Sequence, residues 1–321
     1  MSPVSHCLAV MYHYVRDRDA PPDDQIRGLA ERDFTQQIDD VGATFEPIDW
    51  PMWLEHQTTG RPIPERSLLL TFDDGLSDHV DVVAPLLEKH GMRGLFFVSG
   101  RPIEEQRMTA AHRIHLLLCR LGNDGFEHCV RTWLAEHDPD NDWPAAVDKD
   151  AAHRVYHYEP EVRAVIKYLL NVTLPIHLRD QMTAELFAEH VGDEPEWARR
   201  WYGTWDQWAA LQEAGHTIGG HGYRHERYLR LSQTEQAGDM KHIATLLADR
   251  LGPRPRPFSY PFGSYDAHTI EACAHAGFRN AFTTLEGLNQ ASTPAHELRR
   301  IDTICVDAFL SGSLAEKPPE E

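Results

Sequence analysis

The chain has 321 residues, with 31 Lys plus Arg against 50 Asp plus Glu and a formal net charge of −19. That length suits one large domain or two small ones with an ample core. So acidic a balance argues against nucleic acid or an anionic membrane surface as partner, because both attract basic patches.

Short apolar runs alternate with helical patterns over the first hundred residues. CLAVMYHYV (7–15) reads as a strand and DFTQQIDDVG (33–42) as an amphipathic helix. SLLLTF (67–72) reads as a buried strand, His79 to His90 as a helix, and GLFFVSG (94–100) as the next strand. This βαβ rhythm predicts a mostly parallel sheet or barrel. Between 101 and 204 the character changes. Ile114, Leu117, Leu118 and Leu121 follow i, i+3, i+4, i+7 spacing, Val162, Val165, Ile166 and Leu169 repeat it, and Leu178 to Val191 is helical in pattern. The segment is expected to be a helical insertion. Trp197, Trp201, Trp205 and Trp208 close it, read as a packed helix face rather than a sugar-stacking surface. The alternation then resumes: a helix from Trp208, HTIGGH, a helix from Gln233 to Leu251, RPFSYPFG (256–263), a helix from His268 to Gly277, AFTT, and a last strand LRRIDTICV (298–306). The expected organisation is a discontinuous α/β unit, 1–100 and 205–311, with insertion 101–204 and a disordered tail 312–321.

Cys7, Cys119, Cys129, Cys273 and Cys305 are odd in number and form no CxxC, which suits a reducing compartment and not a disulfide framework or structural zinc site. The N-terminal residues lack a charged start followed by a long apolar run, so no leader is expected and a cytoplasmic location is. No apolar run approaches the ~20 residues of a membrane span.

Three constellations carry chemistry. TFDDG (71–75) places Asp73 and Asp74 after an apolar strand and before a Gly turn, where paired carboxylates divide naturally between a cation and a base. HGYRH puts His221 and His225 four residues apart, a spacing that on a helical turn turns two imidazoles to one metal. SYPFG (259–263) makes a rigid aromatic wall, with backbone N–H groups available to an oxyanion.

In this order, TFDDG, IGGHGYRH and FSYPFG resemble the polysaccharide deacetylase (NodB-homology) family of metal-dependent carbohydrate esterases, over about 1–100 and 205–306. The resemblance implies a distorted, incomplete (β/α) barrel. It implies Asp73 as catalytic base, Asp74, His221 and His225 as metal ligands, and Tyr260 and Phe262 at the substrate, with the Phe262 amide at the oxyanion. Three departures stand out. Gly222 replaces the usual Ser or Thr. Ser259 stands where the family commonly carries Arg, leaving Arg256 or the Arg299–Arg300 pair, Arg300 foremost, to compensate. The C-terminal Leu-x-His motif is not evident. AVMYHYV resembles the opening strand of permuted relatives, where a Tyr-His pair supplies the acid, so His13 is the candidate acid and His296 the runner-up.

The implied reaction is removal of an N-acetyl group from a sugar or carrier-linked glycan precursor. It uses one divalent ion, zinc by default, with cobalt, nickel, iron or manganese also suited. The alternatives are a deformylase or other N-deacylase, and a non-catalytic glycan-binding barrel. The apolar faces of the insertion need burial. They are expected to pack beside the groove and narrow it, or to pair with a second copy in a homo-oligomer.

Overall fold

The computed structural model describes residues 5–17, 26, 28–156 and 159–313. The tail from 314 onward lies outside the described residues. These residues fall into two compact units, one built from 5–17, 28–104 and 200–313, the other on Glu105–Arg199.

The first unit is a curled parallel sheet wrapped by helices. Its strands are β1 (His6–Tyr12), β2 (Glu46–Pro47), β3 (Arg66–Phe72), β4 (Gly94–Val98), β5 (Thr217–Gly220), β6 (Arg256–Ser259), β7 (Phe278–Phe282) and β8 (Ile301–Asp302). They run in the order β7-β6-β5-β4-β3-β1-β8, with β2 also on β3, and every pairing is parallel. A parallel bridge between Phe282 and Leu298 brings the segment before β8 back against β7, so the sheet nearly closes. This is the distorted, incomplete α/β barrel that the sequence implies.

Strand periodicity sorts the residues. One set, with Cys7, Ala9, Leu69, Leu95, Phe97 and Phe282, points inward and packs as one cluster; the Phe97 and Phe282 rings lie 5.4 Å apart. The other set points outward. Tyr12 stacks on Phe72 at 5.1 Å, Phe72 on Phe96 at 5.0 Å, and Phe96 meets Trp208 at 5.9 Å. The N-terminal end of the sheet is covered by the helix Trp50–Thr59, capped by Asp49. Trp50 and Trp53 join the inner cluster, and Trp50 Nε1 donates to Asn280 Oδ1 at 3.1 Å. That plug leaves the carboxyl ends of the strands as the open mouth. Neither β2 nor this helix is expected from the pattern, and the expected last strand 298–306 shortens to Ile301–Asp302 followed by a 3-10 turn.

The second unit is helical, as its periodicities require. Ala110–His137, kinked at Gly122 (φ 68°), packs with Glu161–Tyr168 and Ile176–His190 around Ile114, Leu117, Phe126, Leu170 and Met182. The chain leaves the sheet after β4 and returns before β5 to make it. Of the four tryptophans between 197 and 208, Trp197, Trp201 and Trp208 are buried, and Trp205 is half-buried with its Nε1 donating to Glu104 at 2.6 Å. All five cysteines are free, and among the described residues no helix is long and apolar enough to cross a membrane.

Candidate active site

The inward columns of adjacent strands rise to a shared polar layer at the mouth. In the β1–β3 register Tyr12 pairs with Phe72, and Asp73 N–H donates to the Tyr12 carbonyl at 2.9 Å. His13 and Asp73 are therefore next neighbours on adjoining strands, one step past the apolar inner residues.

Asp73 is buried, and Arg300 grips it from both sides. Nη1 donates to Oδ1 and Nη2 to Oδ2, each at 2.8 Å, while Ser259 Oγ donates to Oδ2 at 3.2 Å. Burial alone raises the carboxyl pKa. The charge of Arg300, with His221, the Arg300 hydrogen bonds and His13, outweighs it and holds Asp73 down to about 2. Arg300 is fixed in turn by its Nε bond to the Thr283 carbonyl at 2.9 Å and by Ser259 Oγ at 2.9 Å. Arg300, from the segment leading into β8, thus reaches Asp73 beside Ser259, the position of the motif arginine that this chain lacks. Arg256 serves elsewhere, donating to the Ile218, Leu251 and Gly252 carbonyls, and Arg299 lies on the Gly287 turn.

Asp74, His221 and His225 converge. Asp74 Oδ1 lies 3.4 Å from His221 Nε2 and 3.0 Å from His225 Nε2. One ligand atom from each residue falls within 4.8 Å of the others, and all three residues are buried. Tetrahedral zinc, with N and O ligands at about 2.0–2.2 Å, separates its donors by roughly 3.3 Å. The spacing and the donor set fit a divalent ion. His221 Nδ1 sits 2.8 Å from the Ser259 carbonyl. A carbonyl only accepts, so Nδ1 carries the proton and Nε2 is the donor atom turned to Asp74. Burial disfavours a charged His221, but the Asp73 and Asp74 carboxylates outweigh it and raise its pKa.

The backbone is bent to make this arrangement. Only four described non-glycine residues have positive φ, and three are Asp74 (80°), His225 (57°) and Phe262 (60°). Left-handed conformations at such residues cost on the order of 1–3 kcal/mol each and persist only where the surroundings enforce them. Part of the enforcement comes from Asp239, which accepts from Tyr223 N–H at 2.8 Å, Arg224 N–H at 3.2 Å and Tyr228 Oη at 2.9 Å. Gly222 has φ 70°, and a Cβ there would meet Asp239 Oδ2 at 3.1 Å. The serine or threonine of the usual motif would therefore crowd this anchor. Ser99 Oγ holds the His221 carbonyl at 2.8 Å.

Phe262 places its ring 5.0 Å from that of His225, and its N–H makes no hydrogen bond among the described residues. Tyr260 is a correction. Its N–H is spent on the Phe282 carbonyl at 3.1 Å, its hydroxyl donates to the His296 carbonyl at 3.2 Å, and its ring stacks on Tyr265. Strand alternation turns it away from the side that Ser259 faces. His296 is also misplaced for an acid. Its Nε2 lies 3.1 Å from the Phe278 carbonyl, at the amino end of β7, roughly 13 Å of strand from the mouth. Asp239 and Ser99 were missed by sequence reasoning. Asp239 shares a helix face with Gln236 and Ile243, and a carboxylate on a buried stripe was the available signal.

Comparison with known proteins gives a family and a fold. The family profile described as polysaccharide deacetylase matches residues 60–157 and 180–281, more than half of the chain. The match runs into the helical unit and omits 1–59, unlike the coverage that the motifs alone suggest. No curated protein matches. Among solved structures, the deacetylase PplD of Streptococcus pyogenes in complex with acetate is 15% identical with TM-score 0.58, covering 97% of this chain and 100% of that one. IcaB from Ammonifex degensii is 16% identical with TM-score 0.59, covering 97% and 98%. The BpsB deacetylase domain from Bordetella bronchiseptica is 15% identical with TM-score 0.52, covering 94% and 96%. At such identities these likenesses speak for the fold, and the family match says the rest: the chain belongs to the polysaccharide deacetylase family.

Proposed function

We propose that the chain is a metal-dependent hydrolase that removes the N-acetyl group of a sugar or glycan precursor. The observation that carries this reading is Asp74 Oδ1 set 3.0 and 3.4 Å from two imidazole nitrogens, beside a separately anchored Asp73. Asp74, His221 and His225 would hold one divalent ion, zinc by default. Bound there, such an ion supplies Lewis-acid polarisation of the amide carbonyl and a water of lowered pKa. Asp73 acts as general base on the attacking water. Arg300 keeps Asp73 ionised and in place. The Phe262 N–H serves as the donor to the developing oxyanion. His13, the neighbour of Asp73 across the β1–β3 pair, gives its proton to the leaving amine. Water is thereby split across the C–N bond, hydroxyl to the acyl group and proton to nitrogen, giving acetate and an amino sugar.

The test is release of acetate and amine from a panel of N-acetylated sugars by protein stripped with a chelator and reloaded with zinc or cobalt. Equimolar products that vanish on stripping and return on reloading are expected. No acetate from any sugar, or activity indifferent to chelation, would overturn the reading.

A further inference from the structure

Arg227 lies two residues beyond His225. Its guanidinium sits over the Phe262 ring, 5.4 Å from the centroid, and the Phe262 ring is 5.0 Å from that of His225. Those two contacts place the guanidinium within about 10 Å of the His225 ring. The side chain is half-buried. Among the described residues the guanidinium has no ion-pair or hydrogen-bond partner; the aromatic face is its only described contact. A half-buried guanidinium fork without a carboxylate is a ready acceptor site for an anion.

The surroundings sharpen this. The chain carries a net charge of −19, yet HGYRHERYLR (221–230) holds three arginines and one glutamate, so this rim segment is locally positive. Arg224 is committed to Asp239, 3.6 Å away. Arg227 is not. Acidic residues abound elsewhere, and a cation needed only for folding would more simply be paired with one of them. Stacking on Phe262 also pre-orders the guanidinium and lowers the entropy lost when it takes a ligand. Phe262 links the two places: its ring carries Arg227 and its N–H is the candidate oxyanion donor.

We infer that Arg227 and Phe262 form a subsite for an anionic oxygen group, a phosphate ester or a carboxylate, on the sugar whose acetyl group is removed. This rests on the deacetylase reading above and deepens it. The substrate class becomes a negatively charged N-acetylated sugar rather than a neutral polymer.

Two measurements test it, with N-acetylglucosamine, N-acetylglucosamine 1-phosphate, UDP-N-acetylglucosamine and an N-acetylated aminouronic acid as probes. The first is binding to the Asp73→Asn protein by calorimetry. The second is kcat/KM for acetate release by the zinc-loaded enzyme. Arg227→Gln should weaken the anionic probes by about ten- to a hundredfold, as expected of a hydrogen bond to a charged group. It should leave neutral N-acetylglucosamine within about threefold. Arg227→Lys should fall between, since it keeps the charge and loses the fork. A loss confined to the phosphate probes, or to the uronic acid, identifies the source of the anion. Equal losses on neutral and anionic probes would mean that Arg227 only buttresses Phe262, and no loss on any would mean that it is idle; either overturns the subsite. If no probe yields acetate with wild-type enzyme, it is the deacetylase reading that fails, and calorimetry still decides the subsite.

Discussion

Arg300 approaches Asp73 end-on, with two nitrogens 2.8 Å from two oxygens, and both side chains are almost fully buried. The pair joins the segment entering β8 to the end of β3, on opposite sides of β1. It fixes the candidate base and shields its charge in one contact. Removing one member of a buried ion pair strands the other, typically at ~3–5 kcal/mol. Arg300→Gln should therefore lower stability by about that amount in urea unfolding and lower hydrolysis as well. Arg300→Lys should restore part of the stability but little of the activity, because one ammonium cannot hold both oxygens.

Asp73→Asn keeps the shape and removes the proton acceptor. Hydrolysis should fall by ~10²–10⁴-fold, the usual contribution of general-base catalysis. Metal content should stay unchanged, since Asp73 is outside the Asp74–His221–His225 group. Activity within tenfold of wild type would remove Asp73 from the base's role.

His13→Ala separates leaving groups. An amide must have its nitrogen protonated to depart, whereas the phenolate of an activated aryl acetate leaves unaided. The variant should lose ~10²–10⁴-fold on an N-acetyl sugar and far less on the aryl ester. Equal losses on both would argue for a positional role for His13.

The site was legible in sequence where its chemistry is local. TFDDG and HGYRH each hold their residues within five positions, so the carboxylate pair and the two histidines declare themselves. His13 was reachable only through the likeness of AVMYHYV to the opening strand of permuted relatives, and the β1–β3 register sets it next to Asp73. Tyr260 was misplaced because a motif fixes chain position but not which face of the strand a side chain takes; the bond of Ser259 to Asp73 shows that the even-numbered neighbour must point away. Arg300 was only one of several arginines in sequence, since the contact that selects it spans 227 residues. The Trp50–Thr59 plug was missed because its two buried tryptophans, three apart in a short segment, show no sustained helical stripe.

His79 makes acid stability a test of the scaffold beneath the site. It is fully buried between Phe72 and Phe96, and its Nε2–H donates to the His13 carbonyl at 2.8 Å. Burial pushes its pKa down from 6.5 to about 4, against the partial support of that hydrogen bond. The fold thus holds the neutral ring. Its contribution is fully present above pH 6.5 and is lost as pH falls from 6.5 to about 4. At ~1.4 kcal/mol per pH unit it is on the order of 3 kcal/mol. His79→Gln keeps an N–H for the His13 carbonyl and cannot titrate. Urea midpoints from pH 7.5 to 4 should fall more steeply for wild type than for the variant. Parallel curves would show that His79 protonates freely in the fold.

If Asp74, His221 and His225 together hold one ion, elemental analysis of wild-type and His225→Ala protein, dialysed against the same zinc buffer, will show it. Wild type should carry one zinc per chain and the variant a small fraction of that, with far-ultraviolet circular dichroism unchanged. Equal zinc in the two proteins would contradict it.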